Sequence, residues 1–213
     1  MNIAIAIPAR LKSTRLKEKL LMEFDGEPLI RIVYDKCATM GFDCFVITDS
    51  EKIAKHITRE RVIMTDECEN GTARIASVID KLSKYDVIIN VQSDMLDISY
   101  DTLFPLITSC YYNEVTTCYT EGCEPNDVKV IHQEGKAMWF TRAPIGYGDR
   151  HLGLYAYKRH ILQSYDLFTD EYPQENLEQN RILGHYDINV VKTEYNGIEI
   201  NTKEDINSRT VLN

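Results

Sequence analysis

Five basic side chains lie within ten residues near the amino terminus of a chain that is otherwise acidic. Segment 10–19 holds a single acid, whereas the 213 residues together carry a formal net charge of −9 at pH 7. Arginine binds phosphate oxygens through a rigid bidentate fork, and lysine adds a compact point charge. The segment therefore predicts a polyphosphate site, and composition alone leaves a solvated basic loop as the alternative. The basic residues are Arg10, Lys12, Arg15, Lys17 and Lys19.

A second candidate group is the carboxylate of Asp94, which follows an apolar run at residues 87–92. Mg²⁺ commonly takes only one or two protein carboxylates and completes its shell with water and substrate phosphates. An aspartate that faces a basic phosphate loop suits this role, although aspartates at strand ends also cap turns. The sequence contains neither a P-loop nor the glycine-rich turn of dinucleotide-binding folds.

Two apolar, β-branched runs must position these groups. Residues 2–7 and 87–92 have the pattern of strands that are buried on both faces. In a doubly wound α/β sheet, ligands bind beyond the carboxyl ends of the strands, where the strand order switches. The basic segment and Asp94 are therefore expected to meet at one edge of the sheet. The elements predicted between the two runs are strands at 44–48 and 62–64 and helices at 27–41, 50–57 and 71–82.

The second half of the chain is less regular. Its apolar spacing predicts a hairpin that turns at residues 133–136, and a helix capped by Thr202 at the end. It also predicts strands at 151–157 and 188–193 and helices at 159–168 and 177–183. No linker or repeat interrupts the chain, which indicates a single domain over residues 1–213.

Composition also excludes several classes of protein. A pI near 5.1 argues against a nucleic-acid binder, which needs a basic face to replace phosphate counterions. No apolar run reaches the roughly 18 residues of a membrane span, and the start lacks the basic region of a signal peptide. The six cysteines form no C-x-x-C pair, which indicates a reduced, cytoplasmic protein.

Seven short motifs occur in order along nearly the whole chain. They are IPAR–STRL–K at 7–19, NGTAR at 70–74, NVQSD at 90–94, WFTRAPI at 139–145, RHLGLYAY at 150–157, LEQNR at 177–181 and INTKEDI at 200–206. Together they resemble the 3-deoxy-manno-octulosonate cytidylyltransferases, the CMP-KDO synthetases. The resemblance implies their Rossmann-like nucleotide-diphospho-sugar transferase fold, a three-layer α/β/α structure with a mixed, mostly parallel sheet.

The resemblance also implies a reaction in which a sugar hydroxyl attacks the α-phosphorus of CTP, with Mg²⁺ as cofactor, and a homodimer. Lys19, Arg15 and Asp94 would be catalytic, and Asp94 and Asn201 would be the metal ligands. Nucleotide-binding residues would be Arg10, Ser13, Arg15, Lys19, Asn70, Gly71, Thr72 and Arg74, with Arg74 near the base or the phosphates. The sugar would meet Gln92, Arg142, His151, Tyr155, Glu178 and Gln179.

Some of these residues have simpler interpretations when they are considered alone. His151 would be a hydrogen-bonded strand histidine, and Glu178 would lie on a solvated helix face. The sequence also departs from the family pattern. Asn201 stands where the family has a second metal aspartate, which predicts a weaker second Mg²⁺, and the loop at 145–150 is short.

Three hypotheses remain open at this point. The protein could activate 3-deoxy-manno-octulosonate with a weakened second metal, or it could activate a different sugar or sugar phosphate. It could also be a catalytically reduced nucleotide-binding protein. The choice between CTP and UTP is likewise undecided, because backbone groups can select the base.

Overall fold

A computed structural model describes residues 1–12, 16–169, 175, 177–195, 197 and 200. The first half begins with the strand β1 (Ile3–Ala9) and a small β2 (Glu23–Phe24) and β3 (Glu27–Pro28) hairpin. It continues with α1 (Leu29–Ala38), β4 (Asp43–Thr48), α2 (Glu51–Ala54), β5 (Val62–Met64), α3 (Gly71–Ala76) and β6 (Val87–Asn90).

The second half contains the helix α4 (Tyr100–Ser109) and the strands β7 (Val115–Thr120), β8 (Lys129–Gln133) and β9 (Lys136–Thr141). The long strand β10 (Asp149–Lys158) then leads to α5 (Arg159–Gln163), α6 (Glu178–Leu183) and β11 (Ile188–Lys192). Short 3-10 turns lie at Lys19–Leu21, Arg59–Arg61, Ile79–Leu82 and Tyr165–Leu167.

The main sheet of the described chain has the strand order β5-β4-β1-β6-β10-β7-β11-β9-β8. β1 is buried along its whole length and pairs in parallel with both β4 and β6. β10 and β9 run opposite to the other seven strands. The expected mixed, mostly parallel sheet is therefore confirmed, and the switch in strand order falls between β1 and β6.

Helices cover both faces of this sheet. Ile5 and Ile7 of β1 point into a core that includes residues of α1, α2 and α4. Ala4 and Ala6, on the opposite face of the same strand, point into a core shared with α3, α5 and α6. Since side chains alternate between the two faces of a strand, one apolar strand supplies both cores. The three-layer α/β/α architecture is thus confirmed.

The helix predicted at 71–82 is interrupted. α3 ends at Ala76, where the Ser77 hydroxyl donates to the Arg74 carbonyl at 2.9 Å, and a 3-10 turn follows. Such back-bonding competes with the helical ladder. The predicted hairpin is confirmed as β8 and β9, and Glu134 and Gly135 adopt the positive φ values that a tight hairpin turn requires.

Four elements, namely α4, β7 and the short strands β2 and β3, were not predicted. Pro105 lies inside α4 and obscures its pattern, because proline lacks the N–H that a helix interior needs. The helix forms nonetheless. The Ser99 hydroxyl caps its first turn by accepting from the Thr102 N–H, and the side chains of Leu103 and Leu106 are fully buried. The predicted helix after Thr202 lies outside the described residues.

Two further features concern the chain as a whole. None of the helices in the described part has the length and apolarity to cross a membrane. All six cysteines are free thiols, and Cys68 and Cys123 are the two that are partly exposed.

Candidate active site

A cleft of about 470 Å³ opens at the carboxyl ends of β1 and β6, where the strand order switches. The segment after β1 supplies Arg10, Lys12 and Lys19 to its wall, whereas Lys17 does not line it. Ser13, Thr14 and Arg15 lie outside the described residues. The predicted meeting of the basic segment with the end of β6 is therefore present in the structure.

Lys19 and Asp94 form an ion pair inside this cleft. Lys19 begins the 3-10 turn at Lys19–Leu21 and Asp94 lies in the turn that follows β6, and both side chains are less than one-fifth exposed. The Lys19 ammonium also donates to the Ile200 carbonyl at 3.1 Å. The positive charge of Lys19 is therefore already partly neutralised by Asp94.

Asp94 fits a metal ion that the substrate helps to hold. The described residues contain no group of three or more His, Cys, Asp or Glu side chains that could cage a metal. Mg²⁺ does not need such a cage, because substrate phosphates and water fill most of its octahedral shell. Asn201, the other expected ligand, lies outside the described residues.

The segment at the start of α3 forms one wall of the cleft. Asn70 caps the helix by accepting from the Ala73 N–H at 2.7 Å. A Cβ on Gly71 would come within 3.2 Å of the Pro8 side chain, so glycine allows α3 to approach the end of β1. Both Asn70 and Gly71 line the cleft, as expected for residues beside a nucleotide.

Arg74 and Thr72 are held by the protein itself. The Arg74 guanidinium is buried and donates to Asp49 at 2.8 Å and to the Thr65 hydroxyl at 2.6 Å. It reaches the cleft wall, but its charge is already paired. Thr72 is 0% exposed and its side chain does not line the cleft, so its role as a nucleotide contact stays a prediction.

Glu178 is the main partner of Thr72. Its carboxylate accepts from the Thr72 N–H at 3.2 Å and from the Thr72 hydroxyl at 2.8 Å. Burial raises the pKa of Glu178, and the hydrogen bonds from Thr72 and the Gly71 backbone partly oppose this shift. The interpretation of Glu178 as a residue on a solvated face is therefore wrong.

A bulge in β10 arranges the wall of the cleft that holds the expected acceptor residues. Its pairing with β7 shifts between His151 and Tyr155, and Gly153 adopts a φ of +68° inside the bulge. The Gln92 amide donates to the Gly153 carbonyl at 2.9 Å. The rings of His151 and Tyr155 consequently lie 5.4 Å apart, and both line the cleft together with Gln92.

The hydrogen bonds of His151 fix its tautomer. The Thr117 hydroxyl donates to the Leu154 carbonyl at 2.6 Å, so it can only accept from His151 Nε2, which lies 2.8 Å away. Nε2 therefore carries the proton, and Nδ1 keeps a lone pair that can accept a hydrogen bond. Burial, together with the positive charge of Arg142, lowers the pKa of His151 to about 3.

The remaining predicted acceptor residues also reach the cleft. Arg142 is exposed in the cleft, whereas Gln179 is buried against its wall. Burial raises the pKa of Tyr155, which keeps its phenol neutral. The structure adds cleft residues that sequence reasoning missed or left without a role. They include Cys68, Glu69, Val128 and Arg181.

Comparison with known proteins agrees with this geometry. Residues 4–191 match the sequence profile of the cytidylyltransferases. The chain belongs to the cytidylyltransferase family. It is therefore a nucleotidyltransferase, and the enzyme class expected from the motifs is confirmed.

Two similar relatives share one name within this family. The chain is 36% identical to the 3-deoxy-manno-octulosonate cytidylyltransferase of Acaryochloris marina, over 97% of this chain and 95% of the relative. It is 34% identical to the enzyme of the same name from Fusobacterium nucleatum, over 94% and 92%. The first alignment spans 232 residues, more than the 213 of this chain, so the relative carries additional residues.

Solved structures support the same fold. A CMP:2-keto-3-deoxy-manno-octonic acid synthetase complexed with CTP has a TM-score of 0.90 at 28% identity and covers 100% of this cytidylyltransferase and 98% of that chain. The 4-diphosphocytidyl-2C-methyl-D-erythritol synthase of Anaerococcus prevotii has a TM-score of 0.67 at 16% identity, with coverage of 99% and 97%. The second likeness concerns the fold alone.

Proposed function

We propose that this cytidylyltransferase joins CTP to 3-deoxy-manno-octulosonate, forming CMP-3-deoxy-manno-octulosonate and releasing pyrophosphate. One observation carries the proposal. A single cleft brings together a basic segment, a strand-end carboxylate and a wall of neutral hydrogen-bonding side chains beside Arg142. The relatives that share 34–36% of their residues with this chain carry the corresponding name.

The nucleotide half of the cleft suits a triphosphate. Arg10, Lys12 and Lys19 line it, and their charges would offset those of the β- and γ-phosphates. Asp94 would hold Mg²⁺, which when bound neutralises charge on phosphate oxygens. In this proposal Lys19, beside Asp94, stabilises the negative charge that grows on pyrophosphate as the bond from the α-phosphorus to the bridging oxygen breaks.

The acceptor half suits a sugar acid. Arg142 supplies a positive charge for a carboxylate, and Gln92, Gln179 and Tyr155 offer neutral donors and acceptors for hydroxyls. The unprotonated Nδ1 of His151 would accept from a further hydroxyl. In this proposal these contacts orient the attacking sugar hydroxyl toward the α-phosphorus, and such positioning provides much of the catalysis in phosphoryl transfer.

A pyrophosphate-release assay with CTP, Mg²⁺ and a panel of sugars tests the proposal. We expect turnover with 3-deoxy-manno-octulosonate and little with neutral sugars. Turnover with another sugar only would contradict the acceptor assignment. Binding of CTP without turnover on any sugar would instead favour the catalytically reduced nucleotide-binding protein.

The role of Arg142 has its own test. A charge-assisted hydrogen bond contributes roughly 1.5–3 kcal/mol, so Arg142→Gln should raise the KM for the sugar acid by roughly ten- to a hundredfold. The KM for CTP should stay within about twofold, because that substrate lies in the other half of the cleft. Arg59→Gln, at an exposed position outside the cleft, serves as the matched control. A KM for the sugar acid that equals that of the control would contradict the assignment.

We also infer a cytoplasmic location. All six cysteines are free thiols, as expected in a reducing compartment, and four of them are buried. The homodimer that the family resemblance implies stays a prediction.

A further inference from the structure

We propose that Glu178 is a positioning residue that ties the acceptor side of the cleft to the nucleotide side, so that binding on one side stiffens the other. This inference rests on the proposed function, because it assigns the two sides to two substrates. Glu178 begins α6, and its partner Thr72 lies 106 residues earlier at the start of α3. The two helices are thus joined by a contact that the sequence does not reveal.

Both oxygens of the Glu178 carboxylate take part in this contact, and the same side chain lines the cleft. One oxygen accepts from the Thr72 N–H, the other accepts from the Thr72 hydroxyl, and Thr72 itself is 0% exposed. The Tyr157 hydroxyl lies 3.3 Å from the Thr72 hydroxyl and the Asn90 amide lies 3.4 Å from it. Because β6 and β10 supply these two neighbours, the contact is anchored to the centre of the sheet.

A second contact joins the same two segments. Arg181 lies one turn after Glu178 on α6, and its guanidinium donates to Glu69 at 2.6 Å. It also lies over the ring of Tyr165, 5.2 Å from its centroid, and Tyr165 is hydrogen-bonded to Asn70. Residues three positions apart share one face of a helix, so α6 holds segment 69–72 at two points along that face.

Both segments contribute to the cleft directly beside these contacts. Glu178 and its neighbour Gln179 both line the acceptor half, whereas Gly71 precedes Thr72 and lines the nucleotide half. A ligand that orders Gln179 therefore acts on the residue next to Glu178, and a nucleotide that packs on Gly71 acts on the residue next to Thr72.

A contact that only holds α3 against α6 would not need a carboxylate. Burying a carboxylate costs free energy unless its oxygens are hydrogen-bonded, and well-packed apolar residues can replace buried charges without loss of stability. Glu178 instead aims both oxygens at the start of α3, where they accept from the Thr72 N–H and the Thr72 hydroxyl. This directional bonding fixes the relative position of α3 and α6, which apolar packing would leave less well defined.

Hydrogen exchange of the intact enzyme tests the coupling without an acceptor. The probe is the α,β-methylene analogue of CTP with Mg²⁺, which cannot release pyrophosphate. In the wild-type enzyme its binding should slow exchange in residues 178–183 by at least about fivefold, the lower end of typical coupling free energies. In Glu178→Gln this protection should fall below about twofold, because the amide nitrogen replaces one of the two acceptor oxygens and faces a Thr72 donor from which it cannot accept.

The controls separate coupling from simple unfolding. Glu114→Gln, which removes a surface contact with His160, should keep the wild-type protection. Thr72→Val keeps the backbone donor and removes the hydroxyl, so it should lose part of the protection, and the double variant should lose no more than Glu178→Gln alone. Unchanged protection in Glu178→Gln overturns the proposal. So does a uniform rise in exchange over the whole chain, which would indicate a merely structural role.

A separate titration distinguishes this inference from the proposed function. If the sugar acid fails to bind the wild-type enzyme while the nucleotide analogue still protects residues 178–183, the acceptor assignment fails and the coupling stands. If the sugar acid binds and does not tighten the analogue in the wild-type enzyme, the coupling fails and the acceptor assignment stands. In the expected case, the sugar acid tightens the analogue at least about fivefold in the wild-type enzyme and less than about twofold in Glu178→Gln.

Discussion

His151 should make the stability of this enzyme depend on pH, and His151→Gln should remove that dependence. The histidine is 7% exposed, and its pKa is lowered from 6.5 to about 3 by burial and by the charge of Arg142. A glutamine amide can donate to Thr117 as Nε2 of His151 does, but it does not titrate. The substitution thus removes the titration and keeps the hydrogen bond.

The size of the effect follows from the two pKa values. As pH falls below 6.5, the unfolded chain binds a proton at this histidine and the folded chain does not until about pH 3. The free energy of unfolding therefore decreases as the pH is lowered through this window. Between pH 8 and pH 5, the linkage relation gives a loss of about 2 kcal/mol from His151 alone.

Urea unfolding at pH 8 and pH 5 measures this loss. The wild-type enzyme should lose about 2 kcal/mol more than His151→Gln over this interval, since every other titrating group is common to both proteins. An equal loss in the two proteins would refute the argument, because it would mean that His151 protonates at its ordinary pKa in the folded state.

Three other predictions concern the metal and the short loop. Asp94→Ala should reduce turnover by at least about a hundredfold without loss of circular dichroism, because it removes the expected Mg²⁺ ligand; near-normal turnover would refute the metal assignment. Asn201→Asp should lower the Mg²⁺ concentration for half-maximal rate, and an unchanged Mg²⁺ dependence would mean that Asn201 lies away from the metal. Gly148→Ala should cost roughly 1–3 kcal/mol of stability in urea unfolding, because its φ is +103° and a Cβ would lie 3.2 Å from the Val130 carbonyl. Gly184→Ala, with no atom within 4 Å of its Cβ, is the matched control, and equal losses would contradict the steric argument.

The elements that could be predicted are those whose pattern is local. β1 and β6 are short apolar runs rich in β-branched residues, and their length and composition favour strands buried on both faces. The helix starting at Leu29 was predicted from its apolar spacing and from Pro28 before it. The place of the cleft followed from these strands, because the connection rules of α/β sheets fix which strand ends meet. The helix α4 was not predicted, because Pro105 is unfavourable inside a helix. The burial of Leu103 and Leu106, which depends on tertiary packing, stabilises this helix.

The parts of the site that could not be predicted depend on long-range contacts. Arg74 belongs to a nucleotide motif, but its guanidinium is paired with Asp49, a residue that no local pattern links to it. The hydrogen bonds of Glu178 likewise depend on the packing of α6 against α3. The bulge at Gly153, which brings His151 toward Tyr155, becomes visible only when β10 is aligned with β7. Such features arise from tertiary packing and have no periodic signature.

The ion pair between Lys19 and Asp94 implies that the proposed nucleotide and magnesium ion depend on each other for binding. A magnesium ion that binds without a nucleotide must compete with the Lys19 ammonium for the Asp94 carboxylate. A triphosphate gives that ammonium a new anionic partner and brings its own oxygens to the cation. Nucleotide and cation should therefore bind together as one complex. Without nucleotide, the enzyme should have a low affinity for magnesium.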